Sequence, residues 1–276
     1  MCVSAVVKST ASGPNGAGKS TAIRVLLGLM RADGGQAQVL DGDPWQDAVR
    51  VHRRLAYVPD EVQLWPNLSG GEVIDIIAGL CGTFDKQRRA ELIEAFQFDP
   101  RKKFRTYSRG NRQKAVIIAA LLSDVELYIM DEPTSGLDPL MEEVFQDYIR
   151  QLREAGKTVL FSSHVLAEVE KLCDRVTIIK DGRTVETGSL DELRHLTRTH
   201  VTVSLRQELG DWSQHAGITD FSRSGSIYSF SVTSEYVEAV MRELAEYGIT
   251  SITATPLTLG ELFMRYYQTD SQLSEE

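Results

Sequence analysis

Gly13-Pro14-Asn15-Gly16-Ala17-Gly18-Lys19-Ser20-Thr21 fits the pattern G-x-x-x-x-G-K-[ST], in which a glycine-rich turn closes around the phosphates of a nucleotide. Its three glycines let the backbone turn tightly with the N–H groups pointing inward, so several partial positive charges converge on one anion with no side chain in the way. Lys19 then reaches the β- and γ-phosphates, and the Ser20 hydroxyl stands where it can ligate Mg²⁺. The apolar residues Ala22, Ile23, Val25, Leu26, Leu27 and Leu29 that follow read as a helix whose N-terminal dipole faces the anion. A glycine-rich turn before an ordinary helix would need neither the lysine nor the hydroxyl.

Working outward, Leu127-Tyr128-Ile129-Met130-Asp131-Glu132-Pro133 reads as an apolar strand ending in two acids. That suits a buried parallel strand with functional residues at its carboxyl end. An aspartate there takes Mg²⁺ through water, and the glutamate beside it orients or deprotonates the attacking water. Thr134 to Pro139 is a turn, and the helix from Met141 to Arg153 follows it. A second buried strand, Thr158 to Ser163, delivers His164 at its own carboxyl end, a place suited to sensing phosphate.

The remaining composition narrows the class. The 276 residues suffice for a full core, as one main domain with a smaller appendage. A formal net charge of −9 argues against a nucleic-acid clamp, which would show a basic face. Cys2, Cys81 and Cys173 are far apart, with neither a C-x-x-C pair nor a histidine spacing that suits zinc, so reduced thiols are expected. The longest apolar run, Ala115 to Leu122, falls well short of the ~20 residues of a membrane span. The first residues lack a charged segment followed by an apolar one. A cytoplasmic protein that docks on a membrane partner is expected.

Between these landmarks the chain alternates short elements. Gln36 to Leu40 and Arg54 to Val58 read as strands, and Val62 to Asn67 as a loop. From Leu68 to about Ser123 the signals are helical: Ser69 and Glu72 form a capping box, Arg88 to Phe96 is amphipathic, and Tyr107 to Lys114 opens an apolar helix. Arg101-Lys102-Lys103 is a solvated loop face. Val176 to Lys180, Asp181-Gly182 and Thr184-Val185 read as a hairpin. From His200 the pattern changes to β-β-α-β-α, with strands at Val201–Leu205, Tyr228–Val232 and Ile249–Ala254, a helix at Val237–Leu244 and another beginning at Thr258.

The order of P-loop, helical insertion, serine-led helix start, Asp-Glu strand, Ser-Gly-Leu-Asp turn and strand-end histidine resembles the ATP-binding-cassette (ABC) ATPases, over about Ser12 to Leu196. Leu64-Trp65-Pro66-Asn67-Leu68, Tyr107-Ser108-Arg109-Gly110-Asn111 and the tail from Leu259 to Tyr267 further resemble single-cassette subunits of bacterial exporters with separate permeases, antibiotic-resistance exporters included. The resemblance implies an α/β P-loop NTPase cassette at 1–198, with a mostly parallel core sheet and a helical subdomain at about 68–123. A small α+β domain at 199–268 and a disordered tail at 269–276 would follow it. It also implies ATP held by Gly13 to Thr21, by Ser108 and the N–H of Gly110 from a partner copy, and by Asp138. Mg²⁺ would lie on Ser20 and Asp131, and Glu132, His164 and Asp60 would form the catalytic set. The implied partners are a second copy, head to tail, and a separate integral-membrane permease, with no nucleic acid. The implied place is the inner face of the cell membrane. The rival readings are a soluble cassette ATPase working on ribosomes or DNA and a regulatory module that binds ATP without hydrolysing it.

Three departures from the family pattern bear on these assignments. Leu68-Ser69-Gly70-Gly71-Glu72 is literally closer to the family's Leu-Ser-Gly-Gly-Gln than Tyr107 to Asn111 is, yet only the latter opens the long helix leading into the Asp-Glu strand. Position assigns the signature to Tyr107–Asn111. Where the family often has a glutamine to touch Mg²⁺ and the attacking water, this chain has Asp60, which would ligate through an extra water or serve permease contact; Gln63 lies three residues late. Twelve residues precede Gly13, and Lys8 to Ser12 are a poor fit to a central strand buried on both faces. The expectation is that the fold's first strands, with an adenine-stacking aromatic, are missing, so that ATP binds weakly with little preference over GTP.

Overall fold

The computed structural model describes residues 9–12, 16–82, 84–190, 192 and 198–256. The chain divides into two compact units, Met1–Thr187 and Gly188–Glu276. The first is built on a six-stranded sheet of β1 (Ser9–Ser12), β2 (Leu55–Val58), β3 (Leu127–Asp131), β4 (Thr158–Ser163), β5 (Arg175–Lys180) and β6 (Arg183–Ser189), in the order β2-β3-β4-β1-β5-β6. The pairs β2/β3, β3/β4, β4/β1 and β1/β5 are parallel. β6 returns on the two-residue turn Asp181-Gly182, whose φ values of 49° and 73° are those of the hairpin turn expected from an Asp-Gly pair.

The placement of β1 corrects the expectation for Lys8 to Ser12. Ser9–Ser12 forms a central strand of this sheet, with Ser12 opposite Ser163 on one side and Ile178 on the other. Ladder pairing is made by backbone N–H and C=O groups, which short polar residues supply as well as apolar ones. Polarity of the side chains therefore misjudged the strand. A second correction falls on Gln36 to Leu40. The chain there makes a tight turn, with Leu40 and Asp41 at φ 49° and 63° and Val39 and Gly42 bonded to each other at 2.8 and 3.0 Å. The alternation in that stretch comes from a turn and its flanks.

Helix α1 (Lys19–Leu26) buries Ile23, and with Leu27 just beyond its end this side packs against Leu127 and Ile129 of β3. After the short α2 (Ala48–His52) and β2, the insertion folds as α3 (Gly70–Leu80), α4 (Lys86–Ala95) and α5 (Arg109–Leu122). α5 is buried at every position from Gln113 to Leu122, which is why its sequence shows an unbroken apolar run instead of a stripe. α6 (Pro139–Glu154) starts with Asp138 as its cap and proline at its first position, and α7 (Leu166–Leu172) follows β4. None of the described helices is long and apolar enough to cross a membrane.

The second unit carries β7 (Arg198–Leu205), β8 (Ile218–Ser224), β9 (Ile227–Thr233), α8 (Val237–Glu246) and β10 (Ile249–Pro256), with sheet order β10-β7-β9-β8 and antiparallel pairing throughout. Val240 and Leu244 of the helix are buried with Val201, Val203, Tyr228 and Phe230 of the sheet. Three strands precede the helix, where two were expected. β8 escapes a period-two search because its pairing shifts between Thr219 and Ser222, with Asp220 at φ 56°, so Ile218 and Phe221 fall three residues apart. The expected helix from Thr258 lies outside the described residues.

Candidate nucleotide site

Parallel strands place their carboxyl ends on one edge, and the register decides what meets there. β3 and β4 pair with Asp131 beside Ser162, so Glu132 and His164 emerge next to each other. β1, on the other side of β4, ends at Ser12 and leads into the phosphate loop. Gly13, Pro14 and Asn15 lie outside the described residues. Gly16 and Gly18 take φ values of 87° and 102°, in the left-handed region that the loop requires. Ala17 is buried, Ser20 is half-buried and Thr21 is exposed on the first turn of α1.

Lys19 opens that helix with its side chain buried, 6 % exposed, and its Nζ lies 3.0 Å from Glu132 Oε1. The other Glu132 oxygen, Oε2, is 2.7 Å from His164 Nδ1. One carboxylate therefore bridges the loop lysine and the strand-end histidine, two groups separated by most of the domain in sequence. Glu132 adopts φ 46°, a left-handed backbone that costs a non-glycine residue on the order of 1 kcal/mol or more. Ser162 holds it there, because the Glu132 N–H donates to the Ser162 carbonyl at 3.2 Å and to its Oγ at 3.0 Å. The same hydroxyl donates to Asp131 Oδ1 at 2.5 Å. Ser162 was read only as part of a strand. The available signal was a hydroxyl in a buried strand, which must find partners.

Beside this cluster, burial pushes the Tyr57 phenol up to about 12, with the Asp131 carboxylate acting in the same direction. Tyr57 thus stays neutral at physiological pH. Asp131, a residue 4 % exposed at the end of β3, and Ser20, on the first turn of α1, carry oxygen donors only, which suits a hard cation such as Mg²⁺. Among the described residues no group of three or more acidic, histidine or cysteine side chains forms a closed metal cage.

The two signature candidates separate on their hydrogen bonds. At α3, Gly70 N–H donates to Lys102 O at 3.0 Å, Gly71 N–H to Pro100 O at 2.8 Å and Glu72 N–H to Ser69 Oγ at 3.2 Å. The capping box expected at Ser69 and Glu72 is complete, with Ser69 N–H on Glu72 Oε2 at 2.6 Å. Gly70 is a packing glycine, since a Cβ there would stand 2.3 Å from the Tyr107 hydroxyl. The first turn of α3 is spent on its own subdomain. At α5, Ser108 is the cap, accepting from Asn111 N–H at 3.3 Å, while the N–H groups of Arg109 and Gly110 meet no acceptor among the described residues. Gly110 must be small because a Cβ would lie 2.3 Å from the Gly136 carbonyl oxygen. The start of α5 therefore packs directly on the turn after β3.

Asp138 caps α6, accepting from Met141 N–H at 3.1 Å, with Lys114 Nζ 3.9 Å from its other oxygen. Asp60 is drawn to a different partner from the Glu132 cluster: its Oδ1 lies 2.9 Å from Arg109 Nη2. Asp60, Gln63, Tyr107, Arg109, Arg112 and Gln113 line a cavity of about 320 Å³ between the loop after β2 and the start of α5. Tyr107 is fixed at its edge by donating to Asp99 O at 2.5 Å, and burial pushes its phenol up to about 12.

Known proteins place this geometry in context. The family model described as ABC transporter matches residues 8–135. The chain is 39 % identical, over 72 % of its length, to an ABC transporter ATP-binding protein of Nostoc sp. (strain PCC 7120). It is also 34 % identical, over 90 % of its length and 79 % of the relative's, to the daunorubicin/doxorubicin resistance ATP-binding protein DrrA of Streptomyces peucetius. The chain spans 60 % and 52 % of the length of the curated relatives that it first matches. A solved structure described as the ATP binding subunit of an ABC transporter superposes with a TM-score of 0.64 at 30 % identity, covering 69 % of this chain and 83 % of that one. With a phosphate loop, a paired Asp-Glu strand end and a strand-end histidine joined in one cluster, and with relatives at this identity over most of their length, the chain belongs to the ATP-binding proteins of ABC transporters.

Proposed function

We propose that this chain binds and hydrolyses ATP as the energy-supplying subunit of an exporter whose membrane path is a separate integral-membrane permease. The observation that carries the reading is the Glu132 carboxylate bridging Lys19 at 3.0 Å and His164 at 2.7 Å. In this reading the residues from Gly13 to Thr21 cradle the phosphates, and Lys19 exchanges its carboxylate partner for the β- and γ-phosphates. Glu132 accepts a proton from water as the water oxygen bonds to the γ-phosphorus. The bond from that phosphorus to the β,γ-bridging oxygen breaks, and the products are ADP and phosphate. His164 orients Glu132 and faces the γ-phosphate. Ser20 and Asp131 would hold Mg²⁺, which neutralises charge on the phosphate oxygens.

The N–H groups at the start of α5, without acceptors among the described residues, support the expectation that Ser108 and Gly110 meet the nucleotide of a second copy. Asp138 then lies in the turn that faces this shared site. In this reading the permease contacts the protein at the polar cavity beside Asp60 and Gln63, with the protein on the inner face of the membrane. Its acidic balance speaks against nucleic acid as partner. Glu132→Gln tests the reading. ATP binding should persist while turnover falls by on the order of 10²–10⁴, leaving an ATP-bound dimer. Near-normal turnover in that variant would reject Glu132 as the base.

A further inference from the structure

Arg109 occupies a position at which the family's signature has glycine, and Asp60 one at which the family often has glutamine; in this chain the two side chains meet. Arg109 Nη2 donates to Asp60 Oδ1 at 2.9 Å and to Ser135 Oγ at 2.8 Å. Asp60 lies in the loop after β2, and Ser135 in the turn after β3. Ser135 is itself one bond from the reacting centre, because its N–H donates to the Glu132 carbonyl at 3.1 Å. One turn farther along α5, the Gln113 side chain, 1 % exposed, donates to Pro59 O at 3.2 Å. The first two turns of α5 are thus tied at once to the loop that lines the cavity and to the turn that follows Glu132.

We infer that Arg109 is a positioning residue that holds Ser135, and through it Glu132, in register with the loop after β2, and that Asp60 is its anionic anchor and not a ligand of the attacking water. Stability is not the purpose of the contact. The Arg109 and Asp60 side chains are 64 % and 40 % exposed, and ion pairs of that kind contribute little to folding. Geometry is what the contact supplies, since a misplacement of about 1 Å in a catalytic group costs roughly 100-fold in rate. Because Asp60 and Arg109 also line the cavity, a segment seated there meets the anchor directly.

The inference rests on the ATPase reading, and two measurements on the full chain separate its failure from the failure of that reading. In steady-state hydrolysis, Asp60→Asn and Arg109→Ala should each lower kcat roughly tenfold, less than a full misplacement of Glu132 would. KM for ATP should stay unchanged, since Lys19 and its loop are untouched. The double variant should be no worse than either single one, and the exchanged pair Asp60→Arg with Arg109→Asp should recover part of the loss. In amide hydrogen exchange, which needs no hydrolysis, both single variants should speed exchange in residues 59–63 and in residues 133–137. A chain that hydrolyses no ATP but shows this coupled exchange would sink the ATPase reading and keep the clasp. A loss of about 1,000-fold in Asp60→Asn with Arg109→Ala near normal would overturn the inference, making Asp60 a group at the reacting atoms. Multiplying single effects, unaltered kcat in both single variants, or exchange that speeds at only one of the two segments would overturn it as well.

Discussion

Replacing Ser162 by alanine removes one oxygen from the centre of the site, and the structure says how much each half of its work is worth. The hydroxyl is fully buried, accepts the Glu132 N–H at 3.0 Å and donates to Asp131 Oδ1 at 2.5 Å. The first loss is small, because the Glu132 N–H keeps the Ser162 carbonyl at 3.2 Å. The second is larger, because a hydrogen bond to a charged group contributes about 1.5–3 kcal/mol and Asp131 is only 4 % exposed. Ser162→Ala should therefore destabilise the first unit by about 2–3 kcal/mol. For a unit of this size that lowers the thermal midpoint by on the order of 5–10 °C. Unfolding at pH 7 reads the loss directly, and the Asp131→Asn background identifies its source. If the carboxylate is the partner that matters, the two substitutions should couple by about 1–2 kcal/mol. A loss within about 0.5 kcal/mol, or strict additivity with Asp131→Asn, would refute the reasoning.

Ser69→Ala should cost about 1 kcal/mol of stability with ATP turnover intact, whereas Ser108→Arg should abolish turnover with ATP binding by a single copy intact. Urea midpoints and steady-state rates compare them, and the reverse pattern would move the signature to Leu68–Glu72. Hydrogen bonding to the Ser69 N–H holds the Glu72 carboxyl below the ordinary carboxylate range. Such a depressed group stabilises the fold above its unfolded value of about 4.3 and loses that contribution as pH falls through its lower folded value. The stability gap between the native chain and Glu72→Gln should accordingly be present at pH 7 and shrink below about pH 4 in urea titrations; a gap that widens in acid would refute the sign.

How legible the site was depended on how local each of its parts is. The Ser69–Glu72 box is a short-range device with its own spacing, and it stands where the spacing puts it. The same holds for the Asp181-Gly182 turn. Where local signals misled, a backbone fact had replaced a side-chain pattern. β1 pairs through its peptide groups despite its polar residues, and β8 hides its period behind a shifted pairing.

By itself the sequence determined the phosphate loop, the acid pair at a strand end, the histidine at another and the change of architecture after about His200, because each is written in consecutive residues. Only the tertiary structure decided what those groups do to one another. Ser162 lies beside Asp131 because of the β3–β4 register, and that register brings His164 to Glu132. The two serine-glycine candidates look alike in sequence. Their positions along the chain tell them apart, and the fold adds that Lys102 and Pro100 take up the N–H groups of Gly70 and Gly71 in the first. Asp60 likewise became the partner of Arg109 through a contact across 49 residues. Pairings between distant segments are set by strand register and helix packing, and no short stretch of sequence contains them.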